Sequence, residues 1–414
     1  MSAVVVSLLA IPSNAAGYSV FAHEALIDST WQDQLLPLLK QRFPQSTASE
    51  LNQARAYAYG GSLIQDLGYY PFGSKLFSNL VHYVRSGDFV EALIHEAQTV
   101  DEFAFALGAL AHYAGDDAAH PIAVNRSVPI IYPKMRTKFG DEVLYVDSPS
   151  RHVMVEFAFD VVQVARGTFK SDLYQNLIGF EVAMPVLEKA FRRTYGLDLK
   201  EVFGDTDLAI GTYRYAVSRM IPDMTRLAWK EKRDEILAAT PGLTEQDFVY
   251  TMSRQQYEQS YGTKYRKPGF LARFVVLLVK VLPKFGPFKP LAFEPLTSET
   301  ERMFAESLVA SNERYRASLT RIRSGQLALK DVDLDTGKPS TRGSNRLADE
   351  TYADLLKEFA DKKFVGVPVA LCDDINHYYA SKEPGPPANR KAAKQEREVE
   401  RHLAALNESI GHTR

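Results

Sequence analysis

The 414-residue sequence predicts an all-α protein. Three observations carry that prediction. Apolar residues recur at helical spacing from about residue 23 to 240, few stretches alternate with the period of a strand, and further helical patterns follow near the C-terminus. Taken in order, helices are expected through Leu26–Leu39, Phe103–Tyr113, Val153–Val164 and Leu208–Leu227, each bounded by polar residues or by Gly and Pro. Loops are expected at Tyr70–Gly73, across Pro121–Pro149, and around Pro241 and Gly242. Two more helices are expected at about 297–323 and 345–361, separated by DLDTGKPSTRGSN, whose Gly, Ser and Thr content reads as an exposed loop. A Pro-marked break at residues 384–387 then precedes a charged helical tail.

The chain is long enough to bury a large core. Its 45% hydrophobic and 24% charged composition is that of a globular protein and excludes a mostly disordered one. A net charge of -2 removes any global electrostatic case for a stable nucleic-acid complex. The one cysteine, Cys372, excludes an intramolecular disulfide and a Cys-built zinc cluster, so metal ligands must come from His, Asp and Glu.

The ends of this core differ from it. Residues 1–17 read as a signal peptide, with an apolar run from Ala3 to Ile11 and small residues at Ala15, Ala16 and Gly17, although no Lys or Arg precedes the run. The expectation is a secreted or periplasmic protein whose mature chain starts at Tyr18. Residues 256–294 form a basic apolar segment, free of acidic residues between Glu258 and Glu294 and punctuated by Lys264, Arg266, Lys267, Arg273, Lys280, Lys284 and Lys289. It is too short and too charged to span a bilayer, and reads either as a buried helix with snorkelling lysines or as peripheral membrane contact through 264–293. The expected division is therefore 18–255, 256–294 and a helical region over 295–414.

The chemistry-bearing strings lie in the first part. In HYAGDDAAHP, His112, Asp116 and His120 are four apart, so a helix presents them on one face. Pro121 is expected to push His120 out of the helical region, to the helix end. In HVMVE, His152 and Glu156 repeat the four-residue spacing, a common way for one helix to offer two ligands to one metal. A single His is more often a hydrogen-bonded structural residue than a ligand. Buried His and carboxylates in company, however, are costly unless paired or bound to a cation. Asp117 reads as either a partner orienting a ligand imidazole or a charge on the helix face.

With Tyr18 and His23, Asp66 in QDLGYYP and His82 in LVHYV placed upstream, the order of motifs over residues 18–165 resembles the zinc-dependent phospholipase C family, which includes the S1/P1-type nucleases. Five of the nine histidines fall at or close to the positions that the family pattern requires. The resemblance implies a multi-helix core and two or three zinc ions. Asp66, His82, His112 and Asp116 would hold the first, and His120, His152 and Glu156 the second. A third would lie between His23, the bridging Asp116 and the N-terminal amine and carbonyl of Tyr18. The family usually spaces its long motif as His-x3-Asp-x5-His, whereas this chain has His-x3-Asp-x3-His followed by proline.

Such a cluster makes a hydroxide nucleophile from water and needs no Ser or Cys. Asp66 would also orient or deprotonate that water. The expected activity is phosphodiester hydrolysis of the phospholipase C type, on phospholipid or another phosphodiester. The alternatives are an S1/P1-like nuclease or nucleotidase, for which Tyr57, Tyr59, Tyr69, Tyr70, Phe72 and Tyr132 are candidate base platforms, and a non-catalytic helical binding protein stabilised by metal.

Overall fold

A computed structural model describes residues 20–70, 72–165, 181–215, scattered positions between 226 and 245, residue 294, 296–382 and 390–411. The described residues form helices and no sheet; the single β-bridge joins Asp333 to Lys338. The segment 1–17, Tyr18 and the basic apolar stretch 264–293 lie outside the described residues, as do most of the Leu208–Leu227 helix beyond Tyr215 and the turn expected at Pro241.

Helix α1 (Val20–Thr30) runs through a π-turn (Trp31–Leu35) into α2 (Leu36–Arg42), matching the helical pattern over Leu26–Leu39. Next come α3 (Ala48–Gly61), a 3-10 turn (Ile64–Tyr69), α4 (Lys75–Tyr83), α5 (Ser86–Glu96) and α6 (Val100–Ala119). A π-turn (His120–Val124), α7 (Asn125–Ile131) and α8 (Pro133–Phe139) lead to α9 (Pro149–Ala165). The chain continues with α10 (Met184–Tyr195), α11 (Leu199–Val202) and α12 (Thr206–Tyr215), then α13 (Ser298–Arg323), α14 (Arg346–Asp361), α15 (Val369–Ala380) and the charged α16 (Arg390–Gly411).

The central pair is α3 and α6. Both start on capping boxes, Thr47 with Glu50 and Thr99 with Glu102, each of which satisfies two otherwise orphaned N–H groups and contributes about 1 kcal/mol. Their faces are lined with small residues, so the backbones touch. A Cβ on Gly61 would stand 1.9 Å from the Phe105 carbonyl oxygen, and one on Gly108 would stand 2.0 Å from that of Ala58. This contact brings Ser62, at the end of α3, beside the middle of α6. Gly108→Ala should therefore cost about 3 kcal/mol of stability in urea unfolding, at the upper end of overpacking effects, because the neighbouring atom is backbone and cannot swing aside.

The C-terminal helices share this core. Buried Met303, Phe304, Tyr315 and Leu319 of α13 belong to the same apolar cluster as Phe103, Leu107 and Leu110 of α6. Tyr315 donates to the Leu107 carbonyl at 2.9 Å, and Arg316 reaches the Ser29 carbonyl at 2.6 Å and Asp33 on the first π-turn at 2.5 Å.

Two sequence expectations are corrected. Pro121–Pro149 is not a long loop, because it holds the π-turn, α7 and α8 before the irregular stretch from Gly140. DLDTGKPSTRGSN is not exposed throughout: Asp333, Leu334, Asp335 and Asn345 are buried. Its polar groups find partners inside the fold, which composition alone does not reveal.

Candidate metal centre

The centre is assembled on α6, where His112 and Asp116 lie one turn apart and are fully buried. His120 stands just past the end of α6, as expected, but does not leave the helical region as Pro121 suggested. It keeps φ -59 and ψ -57, and the helix widens into a π-turn closed by the Asn125 N–H to the His120 carbonyl. A π-turn accommodates a proline that an α-helix would reject, and such turns concentrate at functional sites.

Three ligand groups converge, with all members buried: Asp66, His82 and His112; His23, His112 and Asp116; and His120, His152 and Glu156. In the first group each imidazole is fixed by a main-chain carbonyl. His82 Nδ1 donates to Ser78 at 2.7 Å and His112 Nδ1 donates to Ser62 at 2.9 Å. Both Nε2 atoms are thereby left as lone pairs, and they face each other at 3.3 Å. Around them lie Asp66 Oδ1, at 3.6 Å from His82 and 3.9 Å from His112, and Asp116 Oδ2, at 3.5 Å and 3.1 Å. A tetrahedron of bonds of about 2.0–2.2 Å has edges of roughly 3.3–3.6 Å, so this set has the size of one zinc shell. Without a cation, two lone pairs and two carboxylates would oppose one another in a dry interior.

The second oxygen of Asp116 faces the other groups. Oδ1 stands 3.4 Å from His23 Nε2 and 3.7 Å from His120 Nε2. The His23 ring stacks on His112 at 4.2 Å, in space that Gly115 leaves open, since a Cβ there would meet His23 at 3.1 Å. Tyr18, expected to complete this group, is not among the described residues. In the remaining group, His152 Nε2 donates toward the Val143 carbonyl and the Asn125 side-chain oxygen, each at 3.0 Å. Its Nδ1 is then turned to Glu156 Oε1 at 3.1 Å.

The charges fit a cation. Asp66 Oδ1 and both oxygens of Asp116 are buried and accept no hydrogen bond. Burial drives the Asp66 carboxyl well above the usual range, opposed by His82 and reinforced by Asp116 and Glu156. Burial also opposes ionisation of Asp116, but the imidazoles of His112 and His120 hold its carboxyl well below the usual range. Burial, then His112, lowers His23; burial, then His120, lowers His152 to about 3. His120 goes the other way: although burial opposes its charge, Asp116, Asp335 and Glu156 push it up to about 10, so zinc would have to displace its proton.

The structure brings all eight described residues picked from the sequence into these three groups. Asp117 points away and pairs with Arg314, so it is a helix-face charge. Sequence reasoning missed three residues, Tyr145, Asn125 and Asp335, and offered Tyr69 only as a base platform. Tyr69 and Tyr145 pack at 5.7 Å, Tyr69 lies 6.1 Å from the His82 ring and Tyr145 lies 5.9 Å from His152. The Tyr145 hydroxyl is buried and makes no hydrogen bond. Asn125 holds His152, and Asp335 approaches His120 at 4.0 Å. Among these, only the alternating carboxylates of DVDLD offered a sequence signal. Of the other aromatic candidates, Tyr59 is a core residue bonded to Asp28, Tyr132 packs against Arg151 and Met154, and Phe72 is exposed.

No curated protein and no solved structure matches this chain. The sequence model of zinc-dependent phospholipase C matches residues 22–205, a span that begins just before His23 and contains every described residue of the three ligand groups. Over residues 22–205, a little under half of its length, the chain is similar to the zinc-dependent phospholipase C family.

Proposed function

We propose that this protein is a zinc-dependent phosphodiester hydrolase of the phospholipase C type, and that Asp66, His82, His112, Asp116, His120, His152, Glu156 and His23 hold its metal. The observation that carries the reading is the pair of Nε2 lone pairs at 3.3 Å, flanked by Asp66 Oδ1 and both Asp116 oxygens, which are buried and accept no hydrogen bond. When bound, zinc lowers the pKa of water toward neutrality and neutralises charge developing on phosphoryl oxygens.

The side chains supply the rest. Ser62 and Ser78 carbonyls lock the two imidazoles in one tautomer, so no reorientation is needed during turnover. Asp66, on a 3-10 turn rather than a long helix, presents Oδ1 to the centre and is the residue placed to take a proton from the attacking water. Tyr145 presents an unengaged hydroxyl beside Glu156, placed to donate to a phosphoryl oxygen.

Phospholipid is the proposed substrate class. The support is in the sequence: a basic apolar segment over 264–293 suited to an anionic lipid surface, and a net charge of -2 that provides no global attraction for nucleic acid. Among the described residues no helix is long and apolar enough to cross a membrane. Export through residues 1–17, with Tyr18 as the first mature residue, belongs to the same proposal and would supply the backbone amine beside His23.

Zinc-loaded mature protein should cleave a phosphatidylcholine analogue and release the phosphorylated head group, while leaving single-stranded DNA intact. DNA cleavage without lipid cleavage would instead establish the nuclease reading. Failure to cleave either by a zinc-loaded protein would leave the metal-stabilised binding protein.

A further inference from the structure

The segment 330–340 lies far beyond the family match, yet it is fastened to the centre along its length. The Leu334 N–H donates to the His82 carbonyl at 3.1 Å, and Ser340 donates to the Tyr83 carbonyl at 2.6 Å. Gly337 takes φ +64, and a Cβ on it would stand 2.9 Å from the Asp117 carbonyl oxygen, so the turn passes directly over the end of α6. These contacts place Asp335, 3% exposed, beside His120 and, through Asn125, one residue removed from His152.

Its atoms are individually placed. The main-chain oxygen accepts from Asn125 Nδ2 at 2.6 Å, while Asn125 Oδ1 accepts from His152. Oδ2 accepts from the Tyr83 hydroxyl at 3.0 Å and from Asn345 at 3.4 Å. Oδ1 is left to face His120 Nδ1 at 4.0 Å, and that nitrogen is buried with no hydrogen-bond partner. At 4.0 Å the approach is electrostatic rather than a hydrogen bond; a carboxylate that accepts from the outer nitrogen of a ligand imidazole fixes its tautomer and raises its basicity.

We propose that Asp335 is a positioning residue of the metal centre, acting through His120, so that the C-terminal region is required to complete the His120, His152 and Glu156 site. Asp335 holds the proton-bearing Nδ1 side of the ring and leaves Nε2 for the metal. Its main-chain link through Asn125 holds His152 in register with His120. The family-matched residues alone lack this carboxylate, which the inference makes part of the same zinc site proposed above.

The test is zinc stoichiometry and affinity of the full chain, read by elemental analysis after equilibration against chelators of graded strength. Asp335→Asn should release its most weakly held zinc at free-zinc levels about 10–100-fold higher than the unaltered chain, with the remaining zinc unchanged. Asp331→Asn, in the same segment but accepting from the Asp88 N–H at 3.0 Å rather than facing the histidines, is the control for folding of the segment and should leave all affinities unchanged. Tyr83→Phe, which removes only the hydroxyl holding Oδ2, should weaken the same zinc by a smaller factor and reads the contact if Asp335→Asn does not fold. Identical zinc titrations for Asp335→Asn and the unaltered chain would overturn the inference, as would equal losses in Asp331→Asn. An unaltered chain that binds no zinc would remove the metal reading itself, a result distinct from either.

Discussion

His112→Ala should lower phosphodiester turnover by more than about 10³-fold, beyond the loss of one transition-state hydrogen-bond donor. The reason is position. His112 is the residue common to two ligand groups, with Nε2 3.3 Å from His82 Nε2 and 3.1 Å from Asp116 Oδ2, and its ring also supports His23. Alanine removes a ligand and the stacking surface of another, and strands the Ser62 carbonyl that accepted from Nδ1. Zinc content and turnover should fall together, measured on the same preparation. Retained turnover with zinc lost would show that the chemistry lies elsewhere.

Zinc removal should also destabilise the fold. The centre lies where α1, α6, α9 and the π-turn meet, so the chelated protein keeps Asp66, Asp116 and Glu156 buried together without their cation. A ligand present at a thousandfold over its dissociation constant stabilises the folded state by about 4 kcal/mol per site. For a chain of this size a chelator should therefore lower the melting temperature on the order of 10 °C, and added zinc should restore it. An unchanged melting curve would place the ions, if bound, outside the core.

The legibility of the site follows from helical geometry. His112 with Asp116, and His152 with Glu156, could be paired from spacing alone, because residues four apart share a helix face whatever the tertiary fold does. His23, Asp66 and His82 needed the family resemblance, since each comes from a different element. Asp335 was beyond reach: it lies 210 residues past Asn125, and a turn rich in Gly, Ser and Thr looks solvated until its partners are known. Its alternating carboxylates sit inside because Tyr83 and Asn345 donate to them, while Asn125 donates to the Asp335 main-chain oxygen.

The fold shows the same split. The long helices α6, α9, α13 and α14 follow apolar periodicity and were legible. The end of α3 was not, because two consecutive glycines argue against a helix. Here they are tolerated because Gly60 and Gly61 stand against the backbone of Glu181 and Phe105, where any side chain would collide. Pro121 misled in the opposite direction: the rule that proline ends a helix assumes α geometry, and the π-turn over His120–Val124 escapes it.

The most direct test of the zinc centre is anomalous diffraction at the zinc edge from crystals of zinc-replete mature protein. The proposed centre predicts an anomalous peak bounded by Asp66, His82, His112 and Asp116, at about 2.0–2.2 Å from each ligand atom, and a second against His120, His152 and Glu156. Ordered electron density for these side chains with no anomalous peak among them would contradict it.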